Sequence, residues 1–108
     1  MGTGRPLSRS TVEAARLLGR RIALARRERR WTIAELAERV GCSAATMGKV
    51  ERGDPSVALG TVFEAAALVG VPLFTDDAVT LAREADLVEA RLAVLPQRVR
   101  RRHVDDDF

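Results

Sequence analysis

The sequence predicts an all-α protein with five helices, and three observations support this fold class. The 108 residues are 46% hydrophobic but only 4% aromatic, which favours helices packed through aliphatic side chains. Apolar residues recur at helical spacing in several segments. Residues typical of helix caps and glycines that can end helices separate these segments. A chain of this length has room for one compact hydrophobic core.

The first predicted helix is capped by Ser10, because Glu13 stands three residues later at the spacing of a capping box. It extends to about Arg29. Its buried stripe consists of three apolar residues at helical spacing, Leu18, Ile22 and Ala25. Residues 1–9 contain two glycines and Pro6 and show no periodicity, so they predict a flexible N-terminal arm.

Two short helices follow, separated by three residues. Thr32 and Glu35 repeat the capping-box spacing at the start of the second helix, Ser43 caps the third, and Gly53 closes it. Seven positions carry the residue types needed where two helices cross near a right angle: Leu36, Ala37, Val40, Gly41, Cys42, Met47 and Val50. The pattern predicts a helix-turn-helix, with an ordinary helical hairpin as the weaker alternative.

The remaining helices complete the domain organisation. A fourth helix covers roughly residues 61–69, with Gly70 as its stop, and a fifth runs from Thr75 to about Leu95. The predicted parts are a flexible arm at 1–9, a helix-turn-helix domain at 10–75, a C-terminal helix at 76–95 and a flexible tail at 96–108.

Charge is distributed unevenly along the chain. Residues 5–52 carry 12 Arg and Lys against 5 Asp and Glu, a net charge of +7, whereas residues 53–97 carry 2 against 7, a net charge of −5. A basic half attracts phosphates, which favours a nucleic-acid partner. Arg-rich helices that are simply well solvated would explain the charge alone equally well.

Several classes of function are excluded by what the sequence lacks. One cysteine, Cys42, and one histidine, His103, cannot build an ordinary Cys/His metal cluster, so no metal or other cofactor is expected. Neither a nucleophile–base pair nor a phosphate-binding glycine loop occurs, and the chain is predicted not to be an enzyme. With no membrane-length apolar run and no apolar stretch at its start, it is predicted to be cytoplasmic.

If Met47 and Val50 face inward, the other side of the third helix is available for the DNA major groove. The predicted DNA-binding residues lie on this face and at the two helix caps: Thr32, Ser43, Ala44, Ala45, Thr46, Gly48, Lys49 and Arg52. Lys49 can donate to guanine or to a phosphate, whereas the two alanines offer only methyl contact to thymine.

The stretch from Leu18 to Val71 resembles the Xre-type helix-turn-helix domain of phage repressors and bacterial regulators. The resemblance is carried by residues 31–43, WTIAELAERVGCS, and residues 50–56, VERGDPS. It implies operator binding and an ion pair between Arg26 and Glu51. Members of the family often have a glutamine at the first position of the second helix, where it contacts the DNA backbone, and Ile33 stands there instead.

A narrower resemblance, to HipB-like antitoxins, is carried by a segment at 55–62 that is about two residues longer than the common form and by an Arg-rich tail that ends in Asp-Asp-Asp-Phe. It implies an autoregulating antitoxin encoded beside a HipA-like kinase toxin. The tail residues that would contact the toxin are Arg98, Arg100, Arg101, Arg102 and Phe108. The alternatives are a stand-alone regulator without a toxin, and a protein-interaction module that no longer uses its helix-turn-helix for DNA.

The fifth helix carries apolar residues at alternating spacings of 3 and 4. The seam comprises Ala78 and the predicted dimer or partner surface, Leu81, Ala85, Val88, Leu92 and Leu95. Packing on the first and fourth helices would bury part of such a seam. Leu87 and Val94 lie outside it, however, and this additional apolar surface favours a homodimer that reads a palindromic operator.

Overall fold

A computed structural model of the chain describes residues 6–99. Within this range it contains five α-helices: α1 (Arg9–Glu28), α2 (Ile33–Val40), α3 (Ala44–Arg52), α4 (Leu59–Val69) and α5 (Ala78–Ala93). The predicted all-α class with five helices is therefore confirmed. The chain divides into two compact units between Asp76 and Asp77, with α1–α4 in the first unit and α5 in the second.

The short helices α2 and α3 begin and end where their local sequence requires. The Thr32 hydroxyl accepts from the Glu35 N–H at 3.0 Å, and the Glu35 carboxylate accepts from the Thr32 N–H at 2.7 Å, which completes the predicted capping box. The Ser43 hydroxyl accepts from the N–H of Thr46 at the start of α3. Gly41 and Gly53 end the two helices with φ angles of +91° and +77°, a region that glycine enters without steric cost.

The predicted start of α1 is wrong by two residues, because its cap is a different serine. Ser8, not Ser10, caps the helix, because the Ser8 hydroxyl accepts from the Thr11 N–H at 3.2 Å and also hydrogen-bonds the Thr11 hydroxyl at 3.0 Å. Ser10 lies inside the helix, so the expected pairing with Glu13 does not form its cap. Glu13 instead makes an exposed ion pair with Arg16, one turn further along.

The core of the first unit is aliphatic and receives residues from all four of its helices. Its largest fully buried side chains are Ile22 of α1, Leu36 of α2, and Met47 and Val50 of α3. Burying each such side chain stabilises the fold by roughly 1.5–3 kcal/mol. α4 contributes small residues at its closest approach to the others, Ala65 and Ala66, together with Val69. This core fixes α3 by one face and leaves its opposite face uncovered within the unit.

α1 and the end of α3 approach each other closely at Gly19. A Cβ added at Gly19 of α1 would lie 2.8 Å from the Gly53 nitrogen and 2.9 Å from the Glu51 carbonyl oxygen. These neighbours are backbone atoms and cannot rotate away. Glycine is therefore required at position 19 by close packing against the end of α3, although it lies within a helix where it is intrinsically unfavourable.

The second unit contains α5, which begins three residues later than predicted. Leu73 and Thr75 form an isolated antiparallel bridge with Phe74 between them at a φ of +68°, so the chain bends tightly here and is not yet helical at Thr75. Asp77 caps the helix, accepting from the backbone N–H groups of Val79 and Thr80 at 3.2 Å. The helix ends at Ala93, so the predicted seam residue Leu95 lies just beyond it and donates its N–H to the Leu92 carbonyl. None of the helices that the structure describes is long and apolar enough to cross a membrane.

Candidate nucleic-acid interface

The third helix has a buried side and an exposed side, and the predicted DNA-binding residues lie on the exposed one. Met47, Val50 and Glu51 are buried against the core. Four predicted residues of α3 are exposed: Ala44, Ala45, Lys49 and Arg52. Thr46 and Gly48 are half-buried at the border of this face. α3 is nine residues, or about 13 Å, long, and this length suits the insertion of one helix into a major groove.

The hydroxyl groups of Ser43 and Thr46, at the start of α3, differ in their capacity to donate a hydrogen bond to a ligand. Ser43 donates its hydroxyl hydrogen to the Thr46 hydroxyl oxygen at 3.0 Å and accepts from the Thr46 N–H at 3.0 Å. Its donor is therefore used within the cap. The Thr46 hydroxyl receives this bond and keeps its own hydrogen for an outward donor contact. Of the two residues, Thr46 is the better candidate for a phosphate oxygen.

Gly48 leaves space for the side chain of Arg52, one turn later on the same face. A Cβ at Gly48 would lie 3.3 Å from an Arg52 guanidinium nitrogen, and no other atom outside the helix backbone lies close to that position. The Arg52 side chain thus lies back along α3 over Gly48. This places its guanidinium beside the middle of the exposed face, where Lys49 also projects.

A carboxylate lies near these two cations. Asp54 follows α3, donates its N–H to the Lys49 carbonyl at 3.0 Å, and accepts from the N–H and the hydroxyl of Ser56 at 2.8 and 2.7 Å. The Ser56 hydrogen bonds lower the pKa of Asp54, and the charges of Lys49 and Arg52 lower it further. Asp54 is therefore ionised at neutral pH and offsets part of the positive potential of the face.

The start of α2 is less favourable for an anion than the resemblance implied. Thr32 is exposed, but its hydroxyl and N–H take part in the capping box with Glu35. The Thr32 backbone N–H is the main reason that the pKa of Glu35 is lowered, so a negative charge is fixed at this helix terminus. Ile33 is half-buried and packs against the core instead of projecting to a ligand.

A buried ion pair holds α3 against α1. Arg26 donates from Nε to Glu51 Oε2 at 2.6 Å and from Nη2 to Glu51 Oε1 at 2.9 Å. The two residues retain only 6% and 4% of their surface exposed. The hydrogen bond with Glu51 is the main reason that the pKa of Arg26 is raised, and Arg26 also donates to the Trp31 carbonyl at 2.7 Å. The pair that the resemblance implied is thus present as a bidentate contact.

One further contact positions α3, and others join α1, α2 and α4; none of them was part of the sequence prediction. Arg20 donates to the Glu51 carbonyl at 3.0 Å, which supplies a donor to the C-terminal end of α3. The guanidinium carbon of Arg39 lies over the half-buried Trp31 ring, 4.2 Å from the ring centroid. The guanidinium carbon of Arg29 lies 5.5 Å from the same centroid. Arg29 also donates to the Val69 carbonyl at 3.1 Å and so connects α1 with the end of α4.

The predicted partner surfaces lie in the second unit. Leu81, Ala85, Val88, Leu92 and Leu95 are all exposed. Arg98 is exposed as well, whereas Arg100, Arg101, Arg102 and Phe108 lie outside the described residues. Between residues 6 and 99, no group of three or more His, Cys, Asp or Glu side chains is placed to hold a metal ion.

Comparison with known proteins identifies a helix-turn-helix domain in the segment that contains α2 and α3. A family model described as a helix-turn-helix domain matches residues 17–78, more than half of the chain. The HTH-type transcriptional regulator SutR of Escherichia coli (strain K12) is similar, with 34% identity over 61 residues, which are 56% of this chain and 34% of that protein. The match thus spans about a third of this relative's length. No solved structure matches the chain. With α2 and α3 in the arrangement described above, the chain belongs to the helix-turn-helix domain family.

Proposed function

We propose that the protein is a sequence-specific DNA-binding transcriptional repressor that inserts α3 into the major groove of operator DNA. The observation that carries this proposal is the uncovered face of α3, on which Lys49 and Arg52 project while Met47, Val50 and Glu51 hold the opposite face in the core. The similarity to a protein named as a transcriptional regulator supports the same function.

The chemistry of the face indicates how DNA is bound. Lys49 and Arg52 donate to phosphates or to guanine O6 and N7, and Thr46 donates through its hydroxyl to a phosphate. Ala44 and Ala45 allow α3 to approach closely and place methyl groups against thymine. With few long donors on the face, DNA shape and a second half-site supply the remaining specificity.

The proposed face is tested by combining Lys49→Ala with Ala44→Glu in the full chain and measuring affinity for the protein's own promoter. Loss of a cation and introduction of a carboxylate beside the phosphates should weaken binding at least ~10-fold and reduce the dependence of affinity on salt. The matched control combines Arg83→Ala with Ala67→Glu, the same chemical changes at exposed positions of α5 and α4. Equal affinities of the two double variants would exclude this face.

The proposal extends to a homodimer that is also the autoregulating antitoxin of a HipA-like kinase toxin. The support is the exposed apolar residues of α5, the exposed Arg98, and the resemblance to HipB-like antitoxins. Co-expression with the product of the adjacent gene tests it, because the toxin should co-purify with the full chain and be lost when residues 98–108 are deleted. A regulator that represses its promoter without any co-purifying kinase would be a stand-alone regulator.

A protein-interaction module that no longer binds DNA is the second candidate, and specific observations favour it. Glu35 and Asp54 place carboxylates beside the start of α2 and the end of α3, and Ile33 does not project outward. A gel-shift scan of the promoter at low salt separates the two functions. The repressor produces a shifted band there, whereas the module does not.

A further inference from the structure

The apolar seam of α5 is exposed and has the spacing of a coiled-coil core. Leu81, Val88 and Leu92 are 41%, 55% and 56% exposed, and Ala85 is exposed between them. In heptad terms, Ala85 and Leu92 occupy a positions, and Leu81 and Val88 occupy d positions. About two heptads are helical, because the helix ends at Ala93. This surface fits one neighbouring helix.

The sizes of these residues distinguish between the two ways of pairing α5 with a second α5. In a parallel pair each residue faces its own copy, and Ala85 would face Ala85, which leaves a thin layer between larger ones. In an antiparallel pair centred between positions 86 and 87, Leu81 faces Leu92 of the second copy and Ala85 faces Val88. Every Ala85 is then opposite a larger side chain, and no Ala–Ala layer forms within these two heptads.

The charges that flank the seam distinguish parallel from antiparallel pairing more strongly than the residue sizes do. Glu84 and Arg91 occupy g positions and Glu89 an e position. A parallel pair would bring Glu84 against Glu89 of the second copy on both sides, a repulsive contact. An antiparallel pair brings g positions together, so Glu84 lies opposite Arg91 of the second copy, and the twofold axis repeats this attraction. Ala82 and Glu89, the e positions, meet without like charges.

We propose that α5 is the docking site for a second copy of this chain, and that the two helices pair antiparallel with reciprocal Glu84–Arg91 ion pairs. The inference rests on the homodimer of the proposed function and gives it an orientation and a register. Glu84 and Arg91 become the residues that determine specificity for self-association, and the seam residues supply the buried apolar surface.

Charge reversal in the full chain, without DNA, tests the proposal. Glu84→Arg should weaken the dimer on the order of 10-fold, because it places two pairs of arginines in contact, and Arg91→Glu should weaken it similarly through pairs of glutamates. The double variant Glu84→Arg/Arg91→Glu restores two attractive pairs and should regain affinity within a few-fold of wild type. Sedimentation equilibrium gives the dissociation constants, and the differences should shrink at high salt.

Any result other than these overturns the proposal. In a parallel dimer, Glu84→Arg would strengthen association by facing Glu89, and the double variant would not restore the wild-type value. A monomeric wild-type chain, or a dimer insensitive to all three variants, would show that another surface or partner is involved. Circular dichroism verifies that α5 stays helical in every variant, so a loss of association reflects the contact itself.

Disulfide trapping tests the register independently, in a Cys42→Ala background that removes the natural thiol. A mixture of Leu81→Cys and Leu92→Cys chains should form the mixed disulfide, because these positions face each other in the antiparallel pair. Identical positions would be about 16 Å apart along the helix axis, so disulfides between like chains should be rare. If disulfides between like chains predominated, the antiparallel register would be contradicted. Insertion of α3 into a single half-site does not depend on this result, because each single chain carries the whole α3 face.

Discussion

At the residue scale, Gly19 is the position where α1 and α3 come closest, and its replacement by alanine should destabilise the protein. The added Cβ would meet backbone atoms of Glu51 and Gly53 within 2.9 Å, so α1 and α3 must separate. The overpacking cost exceeds the helix-propensity gain of alanine, and we expect a loss of about 1–3 kcal/mol in the free energy of unfolding. Urea denaturation measures it.

The control is Gly60→Ala, at an exposed helical position of α4 where an added Cβ meets nothing within 4 Å. It should leave stability unchanged or raise it by up to ~1 kcal/mol. If both alanine variants behaved alike, the close approach of α1 to the end of α3 would not be a determinant of stability.

Also at the residue scale, the buried pair of Arg26 and Glu51 predicts strongly non-additive effects of mutation. Arg26→Met leaves the Glu51 carboxylate buried without its partner, which should cost about 3–5 kcal/mol. Adding Glu51→Leu removes that unpaired charge and should recover much of the loss, although the Trp31 carbonyl still lacks its donor. A double-mutant cycle by urea denaturation measures the coupling. Additive effects of the two substitutions would contradict a coupling between Arg26 and Glu51.

At the scale of the element, the capping box of α2 predicts a pH dependence of stability. The Thr32 N–H holds the pKa of Glu35 below its ordinary value, so the folded state binds this proton less readily than the unfolded state. The contribution is therefore fully present above about pH 5 and is lost as pH falls through the folded pKa. Wild type should lose more stability than Glu35→Gln between about pH 5 and pH 3.

Thermal unfolding across this pH range gives the comparison, with Glu38→Gln as the control. Glu38 lies on the same helix and is exposed, and it takes no part in the cap. Equal pH dependence of wild type and Glu35→Gln would show that the box contributes nothing to acid sensitivity.

The helices could be predicted from the sequence to the extent that local interactions determine them. Thr32 with Glu35, and Gly41 at the turn, act over four residues or fewer, and their predicted roles are confirmed. Ser8 caps α1 although only Ser10 has a glutamate at the capping-box spacing, and the Ser8 hydroxyl contacts the Thr11 hydroxyl instead. α5 begins after its Asp77 cap, which follows the bend formed by residues 73–75.

Contacts between distant parts of the chain account for what the sequence did not indicate at the site. Arg20 and the Glu51 carbonyl are 31 positions apart, and only the crossing of α1 and α3 brings them together. The same holds for Gly19, whose neighbours Glu51 and Gly53 lie more than 30 positions away along the chain. The arrangement of Arg52 over Gly48 depends on a side-chain conformation, which a pattern of residue types does not specify.

At the scale of the whole molecule, the division after Asp76 predicts that the first unit folds alone. Every residue of the hydrophobic core and of its partly buried surroundings lies between Leu18 and Leu73. A chain of residues 1–76 should therefore unfold cooperatively with a midpoint within a few degrees of the full chain, and under the proposed pairing of α5 it should be monomeric. Calorimetry and sedimentation measure the two properties. A truncated chain that is unfolded would contradict the independence of the first unit.

The separation of roles on α3 has a consequence for how this protein can diversify. The residues that anchor the helix, Met47, Val50 and Glu51, are different from those that face outward, and Ala44 and Ala45 make no contribution to the core. Under the proposed function, substitutions at the two alanines can therefore introduce new base-contacting groups with little loss of folding free energy. Libraries randomised at these positions should yield folded variants that prefer different operators, so a single scaffold can give rise to regulators with separate targets.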